Sequence, residues 1–260
     1  MNQAERRQFL IREFLKERPD GDEFRIPPDT VEQQRLLRGL MNVRQPGLPE
    51  SDVLRVQDEY LQGRIAQMGI TSLGDLSPVA PHLYLWQGDI ATLACDAIVN
   101  AANSQMTGCW APNHICIDNC IHTFAGVQLR WECAQLMQRQ GFPEPTGSAK
   151  ITKAYNLPCK HVIHTVGPIA NGRPTDEHRR QLASSYRSCY SLAKKLGLHS
   201  LAFCCISTGV FGFPQEEAAR IALDTVRGLI VEDSNPLDVA FNVFLDEDLR
   251  IYSQLLGLNS

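Results

Sequence analysis

Apolar residues recur along this chain with two periods, and the change from one to the other falls near residue 76. Before it the spacing is helical. Phe9, Leu10 and Phe14 return among Arg and Glu, Pro28 could open a second helix carrying Val31, Leu36, Leu37 and Leu40, and Ser51 could cap a third carrying Leu54, Leu61 and Ile65. Gly69 to Pro81, with two glycines and two prolines, reads as a junction. From Leu83 onward runs of strand length appear at Leu83 to Trp86, Ala97 to Val99, His161 to Val166, Leu201 to Ile206 and Val239 to Leu245. They alternate with helical runs over Ile117 to Arg139, Glu177 to Leu196 and Pro214 to Leu229, and a closing helix is expected over Asp246 to Leu256. This alternation predicts a three-layer α/β/α sandwich around a mixed, largely parallel central sheet. The expected division is a helical N-terminal extension over residues 1–76 and the α/β domain over residues 77–260.

Composition narrows the class without naming a chemistry. A chain of 260 residues, 43% hydrophobic and 21% charged, has ample length for a sizeable core. Its formal charge of −4, with no basic stripe, argues against a general nucleic-acid surface, which needs concentrated Lys and Arg. The first residues, MNQAERRQFLIREFLKERPD, lack the apolar core of a secretory signal, and no stretch approaches the ~20 apolar residues of a membrane span. The expectation is a cytoplasmic protein with neither a membrane nor a nucleic-acid partner. Nine irregularly spaced cysteines then suit reduced thiols and a metal site better than a disulfide framework.

Candidate chemistry concentrates between Gly88 and Arg130. The buried run Ala97 to Val99 ends in Asn100, Ala101, Ala102 and Asn103, so side-chain amides sit at a strand C-terminus, where α/β sheets meet their ligands. Cys109, His114 and Cys116 follow, three soft or borderline donors in eight residues that include Pro112, a spacing suited to an irregular loop around one zinc ion. Cys95, Cys133, Cys159, Cys189, Cys204 and Cys205 mostly fall in apolar runs and read as small buried hydrophobes. His161 and His164 look like a metal pair, but at offset three in a strand they point to opposite faces, which favours structural roles.

Two further stretches have competing readings. Ile206 to Pro214, ISTGVFGFP, joins a strand to a helix, and glycines at 209 and 212 could take positive φ and let backbone N–H groups converge on an anion near a helix N-terminus. An ordinary strand-to-helix turn with Phe211 and Phe213 in the core fits the same residues. Asp89 could cap the helix start that follows it or accept a hydrogen bond from a ligand amine.

The ordered motifs GDI, IVNAAN, IDNCIHTFAG and ISTGVFGFP resemble the macrodomain family of ADP-ribose-binding modules and ADP-ribosyl hydrolases, from roughly Pro78 to the C-terminus. Where MacroD-type hydrolases carry a glycine run, this chain has Gly108 to Cys116, which resembles the zinc-dependent microbial branch found beside a sirtuin-type ADP-ribosyl transferase and a lipoyl-carrier protein. The resemblance implies that Asp89, with Ile90, reads adenine. It implies that Ser207, Thr208, Gly209, Val210, Phe211, Gly212 and Phe213 hold the diphosphate, and that Thr146 and Gly147 line the opposite side of the cleft. By the same resemblance Asn103 orients the distal ribose, either Asp118, as general base at an ordinary carboxylate pKa near ~4, or the zinc activates the water, and Cys120 and His122 have packing roles. Cys109, His114 and Cys116 would hold one zinc per chain. The implied activity is removal of ADP-ribose from acidic side chains of a mono-ADP-ribosylated protein. The alternatives are an ADP-ribose reader without turnover and an O-acetyl-ADP-ribose deacetylase.

Overall fold

The computed structural model describes residues 1–258. Helix α1 (Gln3–Lys16) starts at a reciprocal cap in which the Asn2 side chain accepts from Glu5 N–H and the Glu5 carboxylate accepts from Asn2 N–H. Helix α2 (Thr30–Val43) starts behind Asp29, whose carboxylate accepts from the N–H groups of Val31 and Glu32, so Pro28 precedes the helix and its cap. Helix α3 (Ser51–Met68) takes Ser51 as its first residue, so Ser51 is not the cap; Glu50 flanks it and makes no side-chain capping bond. Leu10, Ile11, Phe14, Leu37, Val56 and Leu61 form a hydrophobic cluster of their own, closed by Val127 from beyond the junction. Val31 stays outside it, 69% exposed. Ile65, near the end of α3, belongs to the main core.

The α/β part then runs β1 (Thr71–Ser72), β2 (Leu83–Gln87), β3 (Leu93–Ala94), β4 (Ala97–Ala101), α4 (Ile117–Ala125), α5 (Val127–Gln140), β5 (Ala149–Lys153), β6 (His161–Thr165), α6 (Asp176–Lys195), β7 (Ser200–Phe203), α7 (Gln215–Glu232), β8 (Asp238–Val243) and α8 (Asp246–Leu256). Strands β1 and β3 pair in parallel, so the predicted junction carries a short ladder. The main sheet has six strands in the order β2-β8-β7-β4-β6-β5. Every pair is parallel except β5 against β6. Strand alternation sorts the helices into two layers. On one face of β6, His164 meets Cys133 of α5; on the other, Thr165 meets Cys189 of α6. Tyr186 of α6 continues that second layer, packing on Phe203 and Phe241, with Tyr252 of α8 against Phe241.

The single helix expected over Ile117 to Arg139 is two helices. Gly126, at φ 99, ends α4 in a conformation that costs other residues dearly. A Cβ there would come within 2.7 Å of Gln57 Nε2, and Gln57 Oε1 accepts from Val127 N–H, so α3 occupies the notch between the two helices.

Candidate active site

Parallel pairing brings the C-terminal ends of β2, β4, β6, β7 and β8 to one edge of the sheet, and the chemistry-bearing loops all leave from that edge. Asn100, on β4 and fully buried, donates from Nδ2 to Asp118 Oδ1 at 2.8 Å and lies 3.1 Å from His164 Nδ1. Asn103, just past the strand, accepts from Gln105 N–H and donates to Gly108 O at 3.1 Å and to Asp118 Oδ2 at 3.3 Å. Two amides therefore grip the two oxygens of Asp118 in the first turn of α4, where the helix N-terminus also favours a carboxylate. Burial nevertheless dominates and pushes Asp118 up to about 6, against the lowering effects of Asn100, the Arg130 charge and Asn103. That corrects the ordinary value near ~4 expected from the sequence.

His122, read from the sequence as a packing residue, lies against that carboxyl. One helical turn beyond Asp118, it sits 5% exposed with Nε2 at 3.5 Å from Asp118 Oδ1, and neither ring nitrogen has a hydrogen-bond partner. Burial holds this imidazole well below its usual pKa, so the contact is between a neutral ring and a carboxyl and is not an ion pair. The i,i+4 spacing of Asp118 and His122 was the available signal. Gly108, at φ 82, lies against the ring, and a Cβ there would fall 2.8 Å from His122 Cγ. His122, Cys133 and His164 also converge within 4.8 Å, but His164 is already bonded at both nitrogens, to Asn100 and to Thr152 Oγ1 at 2.9 Å. We read that set as structural.

The donor atoms of Cys109, His114 and Cys116 all lie within 4.8 Å of one another on the half-buried loop between β4 and α4. Two thiols and an imidazole at that separation fit the ligand chemistry of zinc and leave a fourth tetrahedral position for water or substrate. Without a metal, burial pushes the Cys116 thiol up to about 12, so binding an ion would have to displace its proton. The loop is braced from α2. Arg38 donates to His114 O at 2.9 Å and to Asn119 Oδ1, and Asn42 Oδ1 accepts from Asn113 N–H at 3.0 Å. Buried Arg130 donates to Asn42 O, Arg44 O and Cys109 O, and its guanidinium lies 4.1 Å from the Trp110 ring centroid.

Ser207 and Gly212 take positive φ in the 206–214 loop, and Gly209 does not, which reverses the expectation for Gly209. Gly172 N–H donates to Gly212 O and Ala170 N–H to Phe211 O, clasping this loop to the segment that leaves β6. Val210 is 75% exposed, Phe213 is a core residue, Phe211 is half-buried, Thr208 bonds back to Cys205 O, and Ser207 Oγ is buried without a partner. A Cβ on Gly209 would meet nothing within 4 Å. Asp89 caps the short turn after β2, accepting from Ala91 N–H at 2.9 Å, and Ile90 is buried in the core, so it can offer a ligand only its backbone. Thr146 is exposed; Gly147 bonds to Val166 O past the end of β6, and its own carbonyl accepts from Ser184 and Ser188. Phe244, 69% exposed just past β8 and tied through its carbonyl to Gln87, is an aromatic beside the Gly88–Asp89 turn that the sequence reading did not include.

A model of the Macro domain matches residues 99–222. A protein-ADP-ribose hydrolase of Treponema medium is 56% identical over 261 residues, 99% of this chain and 100% of its own. The chain belongs to the macrodomain family. This macrodomain is a hydrolase. It is also 43% identical over 251 residues to a probable bifunctional ADP-ribose hydrolase/ADP-ribosyltransferase of Fusarium oxysporum f. sp. cubense, over 88% of this chain and 42% of the relative. Among solved structures, the Trypanosoma brucei macrodomain in complex with ADP-ribose aligns with a TM-score of 0.65 at 32% identity, over 83% of this chain and 94% of that one. In this macrodomain Asn103, Asp118 and the three metal-ligand candidates form one cluster through Gly108 and α4, while Asp89 and the 206–214 loop follow β2 and β7, on the same edge of the sheet with β8 between them.

Proposed function

We propose that this macrodomain removes ADP-ribose from acidic side chains of mono-ADP-ribosylated proteins, using one zinc ion held by Cys109, His114 and Cys116. The observation that carries this reading is Asp118: a buried carboxyl gripped by Asn100 and Asn103, two residues from Cys116 of the metal trio. Hydrolysis adds water across the ester that joins the distal ribose to the protein carboxyl, giving free ADP-ribose and a carboxylic acid. Asp118 takes the proton of the attacking water at a carboxylate oxygen. A carboxylate has about four lone-pair sites, so the two amide donors leave room for that proton. Asn103 orients the ribose hydroxyls, and Asn100 keeps the carboxylate in place. Bound zinc would supply Lewis acidity toward a ribose oxygen or water. The loop of Ser207, Thr208, Gly209, Val210, Phe211, Gly212 and Phe213, followed by the start of α7, receives the diphosphate through backbone N–H groups. Asp89 accepts from the adenine amine, Ile90 contributes backbone, and Thr146 and Gly147 close the cleft's far side.

A transferase must supply this substrate. The Fusarium relative, whose name joins both activities, supports a partner ADP-ribosyl transferase, and we assign it to the sirtuin type with a lipoyl-carrier protein as a modified substrate. The test compares release of ADP-ribose from Asp- or Glu-linked protein, from arginine-linked protein and from O-acetyl-ADP-ribose. Acid-linked protein should be turned over fastest. Faster turnover of O-acetyl-ADP-ribose would make the protein a deacetylase, and ADP-ribose binding without release from any of the three would make it a reader.

A further inference from the structure

Helices α2, α3 and α4 enclose a groove of about 370 Å³ beside the metal loop, floored by Met41 and Phe124 and edged by Val31. Asn113, the neighbour of His114, lines one end. Three arginines, Arg35, Arg38 and Arg64, point into it, and no carboxylate lines it. Arg38 is bonded to His114 O and Asn119 Oδ1, Arg64 reaches Gln67 Oε1, and none of the three forms an ion pair among the described residues. Elsewhere in the extension Arg6, Arg18, Arg44 and Arg55 are each paired with a carboxylate, and Arg7 is buried against Gln33 and Thr30, so the groove is where three guanidiniums gather without one. On a chain with net charge −4, three unpaired guanidiniums around an apolar floor form a local positive site.

We infer that this groove docks an acidic segment of the ADP-ribosylated protein. The inference rests on the proposed function, because only a protein substrate brings flanking residues to this side of the cleft. Carboxylates on the segment pair with Arg35 and Arg64, while the methylenes of its glutamates cover Met41 and Phe124. Arg38, which holds His114 O, forms the shared wall, so a docked segment lies against the residue that braces the metal loop.

The experiment uses the full chain and two peptides, each mono-ADP-ribosylated on one central glutamate and flanked either by Asp and Glu or by Asn and Gln. The acidic peptide should show a kcat/KM about 10-fold higher at low salt, a difference that shrinks as salt is added. The double variant Arg35→Glu, Arg64→Glu should lose that preference while keeping its rate on the neutral peptide and its ADP-ribose affinity, which reports an intact fold. Equal kcat/KM for the two peptides with wild type, or a preference that survives in the double variant, overturns the inference. Should wild type release ADP-ribose from neither peptide, the hydrolase reading fails by itself, and fluorescence anisotropy with the unmodified acidic peptide still decides the groove. Binding by wild type that is lost in the double variant supports docking, and no binding by wild type refutes it. Tighter binding of a phosphoserine peptide than of its glutamate counterpart, by about 10-fold or more, would instead make the groove a phosphate site and overturn the assignment.

Discussion

Asp118 is buried enough that desolvation alone raises its pKa, and it keeps a usable negative charge at neutral pH because Asn100, Asn103 and Arg130 oppose that effect. His164 shows the same physics with no chemical task. Burial lowers its pKa to about 3, and its ring is fixed by Asn100 and by Thr152. Since the folded value lies below the unfolded one near ~6.5, the folded state binds fewer protons between those two values. The stability this confers is complete above the unfolded value and is lost as pH falls through that window, by up to ~1.4 kcal/mol per pH unit. Denaturant unfolding of wild type and His164→Gln at pH 7 and pH 5 should therefore show a smaller acid loss in the variant. Equal losses would mean that His164 is not the neutral buried group described here. Of the residues in the candidate site, Asn103, Cys109, His114, Cys116 and Asp118 were legible because their signals lie within 16 residues of one another. The burial of His122 against Asp118 fits the packing role read from the sequence, and the exposed ring of Phe244 carried no signal, as a lone aromatic at a strand end.

At the scale of elements, strands and helices with strong apolar periods were legible, the edge strand β2 among them, and those decided by a single residue or built from a polar pattern were not. Strand β5 carries Lys150, Thr152 and Lys153 around one Ile, a polar pattern that pays no hydrophobic signal because the strand is an edge. Gly126 breaks a helix whose apolar period continues across it. The brace between α2 and the Cys109–Cys116 loop joins residues 71 and 76 apart in sequence, which no local pattern reveals. Cys116→Ala should lose the zinc that elemental analysis finds at about one per chain in wild type, because two ligands hold zinc far less well than three. Asn42→Ala should weaken zinc affinity by about 10-fold, on the scale of lost outer hydrogen bonds, as read by competition with a chelator. Unchanged zinc content in the first variant would remove Cys116 from the ligand set. The 206–214 loop gives a separate test. Gly209 has open space where a Cβ would go, so Gly209→Val should fold normally, yet weaken ADP-ribose binding by at least ~10-fold if the diphosphate approaches there. Wild-type affinity by calorimetry would take the loop out of the site.

The whole molecule sets a mixed sheet between two helical layers and adds three helices, with their own hydrophobic cluster, against α4 and α5. The layer architecture was legible from the alternation of periods. The placement of the extension was not, since α1, α2 and α3 hold no chemical motif and reach the Cys109–Cys116 loop through Arg38, Asn42 and the groove they build with α4. No helix among the described residues is long and apolar enough to cross a membrane. The central claim is that this assembly turns substrate over through Asp118 and does not merely hold it. A group needed only in the transition state lowers the rate without weakening ground-state binding. The most direct measurement is single-turnover release of ADP-ribose from acid-linked protein by wild type and Asp118→Ala, run beside calorimetric binding of free ADP-ribose. The account predicts a rate lower by ~100-fold or more in Asp118→Ala with affinity within a few-fold of wild type. A variant that releases ADP-ribose at the wild-type rate, or one that loses binding and rate together, would contradict it.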